Sequence, residues 1–159
     1  MPPTDTAISS NRQSGAAMVE LAVILPIFVL LLFGMIEASW AFAQSNDVRH
    51  GAREGARLAA VDFGDVATIG AEVCDRMDVT GGGVTVTLSP GSSPADPGDR
   101  GSTGRIQVTV VYSSITGAVD QFFDGKTLSS DIDFILEQPL TGEAQWWNTG
   151  SGGTFTCTS

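Results

Sequence analysis

The first sixty residues of the chain change from polar to apolar and back to polar. Residues 1–14 are polar, whereas the run from Leu21 to Ile36 is apolar on every side, which is typical of a membrane segment and not of a soluble helix face. With its flanks, the run predicts one long helix over residues 16–60, of which about residues 19–43 would span a bilayer. Pro26 lies inside this helix and predicts a kink or a loosened turn.

The pattern after residue 60 predicts a small domain over residues 61–159. Apolar residues every three or four positions indicate a short helix over residues 66–77. Alternating apolar and polar residues indicate three strands, at residues 84–88, 105–112 and 128–136. A helical turn is predicted at residues 115–123, and the tail after residue 138 is predicted to be mobile unless it is anchored. The predicted fold class is therefore α+β, with a long N-terminal transmembrane helix that continues into a small domain with a short antiparallel sheet.

A single carboxylate, Glu20, stands at the entrance of the apolar run. Placing an unpaired charge in hydrocarbon costs about 2.5–3.5 kcal/mol, so this residue needs a partner. Cleavage of the chain after Gly15 would create an ammonium group at Ala16, one helical turn before Glu20. We therefore predict that residues 1–15 are a leader peptide, that processing occurs between Gly15 and Ala16, and that Glu20 pairs with this ammonium during assembly.

Gly15 and Glu20, placed ahead of an apolar run, have the spacing of a prepilin peptidase signature. Three further stretches narrow the resemblance: VELAVILP at residues 19–26, GMIE at 34–37 and AREGAR at 52–57. Over about residues 12–60 the chain resembles the TadE-like family, which are pseudopilins of the tight-adherence pilus system. The resemblance implies a pilin-like fold and a structural minor pilin, cleaved by prepilin peptidase, that is incorporated into or primes a type IV pilus.

The same resemblance implies the location and partners of the protein. The chain would be a single-pass protein of the inner membrane with its C-terminal domain outside the cytoplasm, and would later reach the pilus at the cell surface. Its partners would be other pilin subunits, the pilus assembly machinery, the prepilin peptidase and the inner membrane.

Two other interpretations of the apolar run stay open. One is a secretory signal peptide with an A-x-A cleavage site at residues 41–43, which would release a secreted binding domain beginning at Gln44. The other is a plain signal anchor, which would make the chain an envelope protein with an extracytoplasmic binding domain. The basic residues are more numerous after the run than before it, which alone would place the C-terminal side in the cytoplasm. We set this aside because pilin-type signals are read by their own peptidase.

The end of the predicted long helix carries a face of small and charged residues. Gly51 and Gly55 have a small-x-x-x-small spacing that permits close packing of helices. Arg53 and Arg57 are one turn apart, and Glu54 can pair with Arg57 at i+3. This packing face fits either another helix of an assembly or the subunit's own sheet, because small residues serve both contacts.

Charge and cysteine content narrow the functional classes. The formal net charge is −10, and only four basic residues follow Leu58, so a nucleic-acid interface is not expected. The two cysteines, Cys74 and Cys157, are too far apart in sequence for a local zinc or redox motif. In an exported domain they are predicted to form a disulfide.

Catalytic and ligand-binding patterns are weak throughout the chain. His50 is the only histidine, and no serine, cysteine or lysine has a matching triad partner near it in sequence. Asp96 and Asp99 offer oxygen ligands for calcium, but they lack an EF-hand pattern and fit an ordinary polar turn. The glycine-rich stretches lack the Lys-Ser/Thr pair of a phosphate loop. We therefore predict that the protein is not an enzyme and uses no cofactor or metal.

Overall fold

The computed structural model describes residues 9–61, 65–77, 83–91, 99–117, 125–140 and 152–157, with side chains from residue 15 onward. The predictions for Asp96, for residues 118–123 and for the tail at residues 141–151 lie outside the described residues. The described elements are two helices and four strands: α1 (Ser9–Ala60), α2 (Val66–Asp75), β1 (Val84–Pro90), β2 (Thr103–Val111), β3 (Thr127–Ile135) and β4 (Gly153–Thr156). The chain divides into two compact units, Met1–Ser39 and Trp40–Ser159.

Helix α1 is 52 residues long and begins at Ser9, seven residues before the predicted start at Ala16. The sequence analysis placed residues 9–14 in the polar leader and did not predict that they are helical. Once a helix is nucleated, each added residue gains one hydrogen bond, so a strong apolar helix extends into a polar flank. The helix also continues through Pro26.

The unit Trp40–Ser159 contains a four-stranded antiparallel sheet in the order β3-β2-β1-β4. Its central strands pair Val86 with Val108, and alternate residues of β2 point to opposite faces. Ile106, Val108 and Val110 are fully buried, whereas Gln107 on the other face is exposed. The predicted α+β class, with a long N-terminal helix and a small antiparallel sheet, is confirmed.

The inner face of the sheet packs with the last turns of α1 and with α2. The core is mostly aliphatic, and it comprises Val48, Ala52, Ala56, Leu58, Ala59, Ile69, Val73, Val84, Val86, Leu88, Ile106, Val108, Val110, Phe134 and Leu136. A fully buried Val, Leu or Ile contributes about 1.5–3 kcal/mol relative to an exposed one. Small residues on α1 and large ones on the sheet let the helix lie close to the strands.

The outer face of the sheet is polar and carries one cross-strand ion pair. Arg105 on β2 lies opposite Asp133 on β3, and its Nε and Nη2 atoms donate to the two carboxylate oxygens at 2.6 and 3.0 Å. These hydrogen bonds lower the pKa of Asp133 and raise that of Arg105. Both side chains are exposed, so the pair adds little stability and mainly favours the observed register.

Strand β4 has no counterpart in the sequence prediction, which expected the tail to be mobile unless a Cys74–Cys157 bond held it. The strand pairs with β1, placing Phe155 opposite Val86. A Cβ atom on Gly70 of α2 would lie 2.5 Å from the Phe155 ring, so only glycine admits the ring there. The tail segment is therefore held by the sheet edge and by α2.

The N-terminus of α2 is capped by Asp65. Its carboxylate accepts hydrogen bonds from the backbone N–H of Thr68 at 2.8 Å and from the Thr68 hydroxyl at 2.7 Å. The Thr68 backbone bond is the main cause that lowers the pKa of Asp65. The cap fixes where α2 starts, and thereby places Cys74 at its far end.

Candidate functional site: the N-terminal helix and its exit from the apolar segment

The predicted processing site lies within α1. Gly15, Ala16 and Glu20 are all helical and exposed, and the i, i+4 spacing places Ala16 and Glu20 on one face. A Cβ atom on Gly15 would meet nothing within 4 Å. Glycine is about 1 kcal/mol less favourable in a helix than alanine, so this position is a weak point at which the helix can open.

The side chains of the apolar run in α1 are exposed and are not covered by other residues of the unit Met1–Ser39. The Gly15–Ala60 stretch is long and apolar enough to cross a membrane, and none of its most apolar window is buried. Its large apolar side chains are between 39% and 72% exposed; they include Met18, Val19, Leu21, Ile24, Phe28, Leu30, Phe33 and Met35. Exposing such a surface to water is costly, so the segment needs lipid or another apolar surface around it.

The small residues near the end of α1 face the core of their own domain. A Cβ atom on Gly51 would lie 2.5 Å from the Met77 sulfur, and one on Gly55 would overlap Ile106 and lie 3.0 Å from Val73. Of the two contacts that the sequence left open for these glycines, the structure has the internal one. It thereby separates them from the charged residues of the same predicted face.

The charged residues of that face point away from the core. Arg53 and Arg57 are exposed, and Arg57 donates to Glu54 at 2.6 Å. Glu54 also pairs with Arg76 at the end of α2, and Arg76 in turn reaches Glu72 at 3.1 Å. Glu54 therefore links α1 to α2. Sequence spacing alone could not indicate this link, because Glu54 and Arg76 are 22 residues apart. His50 and Arg53 line the same shallow pocket.

Close packing at Gly55 leads to a prediction about stability. Gly55→Ala should destabilise the domain by about 1 kcal/mol, because overpacking costs 1–3 kcal/mol and exceeds the gain in helix propensity of about 1 kcal/mol. Denaturant unfolding of the full chain in detergent measures the change. Gly34→Ala is the matched control, because Gly34 lies on the same helix and a Cβ atom added there would have no other atom within 4 Å. Equal or greater stability of Gly55→Ala would contradict the packing.

Two side chains of α1 hold a loop of the domain just after the apolar run. Trp40 Nε1 donates to the Ser113 carbonyl oxygen at 2.9 Å, and Gln44 Nε2 donates to the same oxygen at 3.2 Å. Gln44 is only 3% exposed. The sequence analysis missed this contact, because a tryptophan and a glutamine one helical turn apart do not reveal a partner about 70 residues away.

The predicted disulfide is present in the structure. Cys74 at the end of α2 and Cys157 after β4 are joined by a disulfide, with their Cα atoms 5.9 Å apart. Within the described residues no three His, Cys, Asp or Glu side chains are grouped as a metal site would require. The structure therefore joins the two predicted cysteines, whereas it divides the predicted packing face into glycines against the core and arginines at the surface.

Comparison with known families addresses the first part of α1 and its exit into the domain. Residues 15–57 match the family model described as TadE-like protein. This segment of the chain is TadE-like. The match begins at Gly15 and ends at Arg57, so it includes Glu20, the apolar run and the charged end of α1. No curated protein and no solved structure matches the chain.

The TadE-like segment contains the features on which the sequence analysis based the resemblance: Gly15, Glu20 and the apolar run. Its resemblance to the family, predicted from the residues, is confirmed over residues 15–57. The sheet and α2 lie outside the matched residues. The family therefore bears on the N-terminal helix, while the sheet domain must be understood from its own structure.

Proposed function

We propose that this chain is a minor pilin, or pseudopilin, of a tight-adherence pilus. A prepilin peptidase cleaves it between Gly15 and Ala16, the apolar helix resides in the inner membrane, and the domain lies outside the cytoplasm. The processed subunit is then incorporated into the pilus or primes its assembly together with other pilin subunits and the assembly machinery. Its role is structural and not enzymatic, and it binds no nucleic acid.

One observation carries this proposal: the TadE-like match begins at Gly15 and includes Glu20 at the start of an exposed apolar helix. In this proposal, Gly15 marks the cleavage site. Glu20, one helical turn after the new N-terminus, makes the assembly contact. The disulfide adds support, because such bonds persist in oxidising compartments outside the cytoplasm.

The contacts near the exit of α1 favour this proposal over release of a secreted domain. A cut after residue 43 would fall inside α1, between Trp40 and Gln44, which both hold the Ser113 carbonyl. Cleavage there would separate the two donors that fix one loop. A signal-anchored envelope protein with a binding domain shares the helix and the disulfide, and differs in keeping residues 1–15.

Processing is tested by the mass of the mature N-terminus. In cells that contain the peptidase, the wild-type chain should begin at Ala16. Gly15→Leu should accumulate uncut, because a bulky side chain would crowd the peptidase site where glycine leaves room. Gly34→Leu, a glycine with similarly open space in the same helix, should be processed normally.

Each outcome separates the candidates. An intact N-terminus in the wild-type chain would favour the signal-anchored envelope protein, and a start at Gln44 would favour the secreted domain. Equal processing of wild type and Gly15→Leu would refute the peptidase assignment.

A further inference from the structure

The 113–117 loop, which follows β2, is hydrogen-bonded to α1 through Ser113. Its first residue, Ser113, accepts hydrogen bonds from both Trp40 and Gln44 through a single carbonyl oxygen. The loop closes on itself through a hydrogen bond from the Gly117 N–H to the Ser114 hydroxyl at 2.9 Å. Gly117 has a φ of 69°, a conformation that favours glycine. The loop is therefore a compact projection attached to the helix at Trp40.

The attachment sets the depth of this loop relative to a membrane. Trp40 follows the last residue of the apolar run, Ile36, by one helical turn, which is about 6 Å along the axis. The interfacial layer on each side of the hydrocarbon core is of the order of 5–7 Å thick. If α1 crosses the bilayer with its apolar run, Trp40 lies in that layer and Gln44 lies one helical turn further out, so Ser113, to which both side chains donate, lies at the outer edge of the layer.

The composition of the loop suits an interfacial position. Its five residues, Ser-Ser-Ile-Thr-Gly, carry no charge, so entering the headgroup layer does not desolvate an ion. Ile115 is 57% exposed, and Phe42, two residues after Trp40 on the helix, is 72% exposed. Apolar and aromatic side chains at this depth gain free energy by inserting into the boundary between headgroups and acyl chains.

We propose that the 113–117 loop is a second membrane contact of this protein, with Ile115 and Phe42 inserted into the outer boundary of the lipid layer beside α1. The occupant is the lipid surface, because the loop is hydrogen-bonded to α1 directly after the segment that crosses it. The inference rests on the membrane insertion of α1 in the proposed function, but not on cleavage or on entry into a pilus.

Depth-dependent quenching tests the contact in the full chain. The only two cysteines form the disulfide, so one added cysteine can be labelled selectively with an environment-sensitive fluorophore. The protein is reconstituted in phosphatidylcholine vesicles that contain lipids with a nitroxide either near the headgroup or deep in the acyl chain. Three variants are compared: Ile115→Cys, Leu30→Cys within the apolar run, and Ser129→Cys on the exposed outer face of β3.

The label at residue 115 should lose most of its emission to the shallow nitroxide and little to the deep one. The label at residue 30 should respond to the deep nitroxide, and the label at residue 129 to neither. Thr116→Cys should behave as Ile115→Cys does, which guards against an effect of removing the isoleucine itself.

The remaining outcomes overturn the inference in different ways. Quenching at residue 30 but a water-like, unquenched label at residue 115 would mean that α1 inserts and the loop stays in solution. A blue-shifted label at residue 115 that neither nitroxide quenches would mean that protein covers the loop instead of lipid. Absence of quenching at residue 30 would refute the membrane insertion of α1, and with it this part of the proposed function.

Discussion

Removing the disulfide by the double substitution Cys74→Ser and Cys157→Ser should lower the free energy of unfolding of the domain by about 4.5 kcal/mol. The bond joins residues 83 positions apart, and the chain-entropy model gives a large effect for so long a loop. β4 adds to the loss, because four residues at a sheet edge are too few to hold their place unaided. Denaturant unfolding of the full chain in detergent measures the change.

The matched control for this experiment is chemical. Reduction of the wild-type chain should shift its unfolding midpoint to that of the double variant, and should leave the double variant itself unchanged. Phe155→Ala, which keeps the bond but removes the ring beside Gly70, should cost less than the double variant. Equal midpoints for the oxidised wild type and the double variant would show that the bond contributes nothing to stability.

Glu20→Gln should abolish or strongly reduce entry of the subunit into pili while leaving insertion and cleavage intact. The substitution keeps the size of the side chain and removes its charge, so the Ala16 ammonium created by cleavage loses its partner. Leaving one charge of such a pair unpaired in an apolar setting costs about 3–5 kcal/mol, enough to disfavour the assembled state. Membrane fractionation and blotting of sheared pili measure the two steps separately.

Glu72→Gln is the control for this variant. Like Glu20, Glu72 is a glutamate, but its partner is Arg76. It lies on α2 outside the TadE-like segment, and its ion pair is exposed. It should enter pili at the wild-type level, since exposed pairs contribute little. If Glu20→Gln also reached the pilus fraction at that level, charge pairing would be the wrong account of Glu20, which would then serve only recognition by the peptidase.

The elements with strong local patterns were predictable from the sequence. The β2 segment alternates apolar and polar residues throughout, and its predicted bounds differ from the observed ones by two residues at most. The long helix was recognisable from an apolar run that no soluble helix needs. The family resemblance was carried by Gly15, Glu20 and the stretches after them, where chemistry constrains the residue types.

Features that depend on tertiary contacts were not predictable. Residues 153–156 are one glycine, two threonines and one phenylalanine, a pattern too short to indicate a strand until β1 and the disulfide supply its partners. The spacing of Gly51 and Gly55 indicates a close contact but not its partner. The start of α1 at Ser9 follows from helix extension into a polar flank, which residue types alone do not show.

The position of the disulfide has a mechanical consequence for a subunit under tension. All four strands lie between Cys74 and Cys157, so a pull on the chain from outside these two cysteines passes through the bond and bypasses the strands. The enclosed residues would otherwise add roughly 280 Å of extended chain. With the bond closed, the chain can lengthen only outside residues 74–157, and the sheet is shielded from a load that would draw out an open chain.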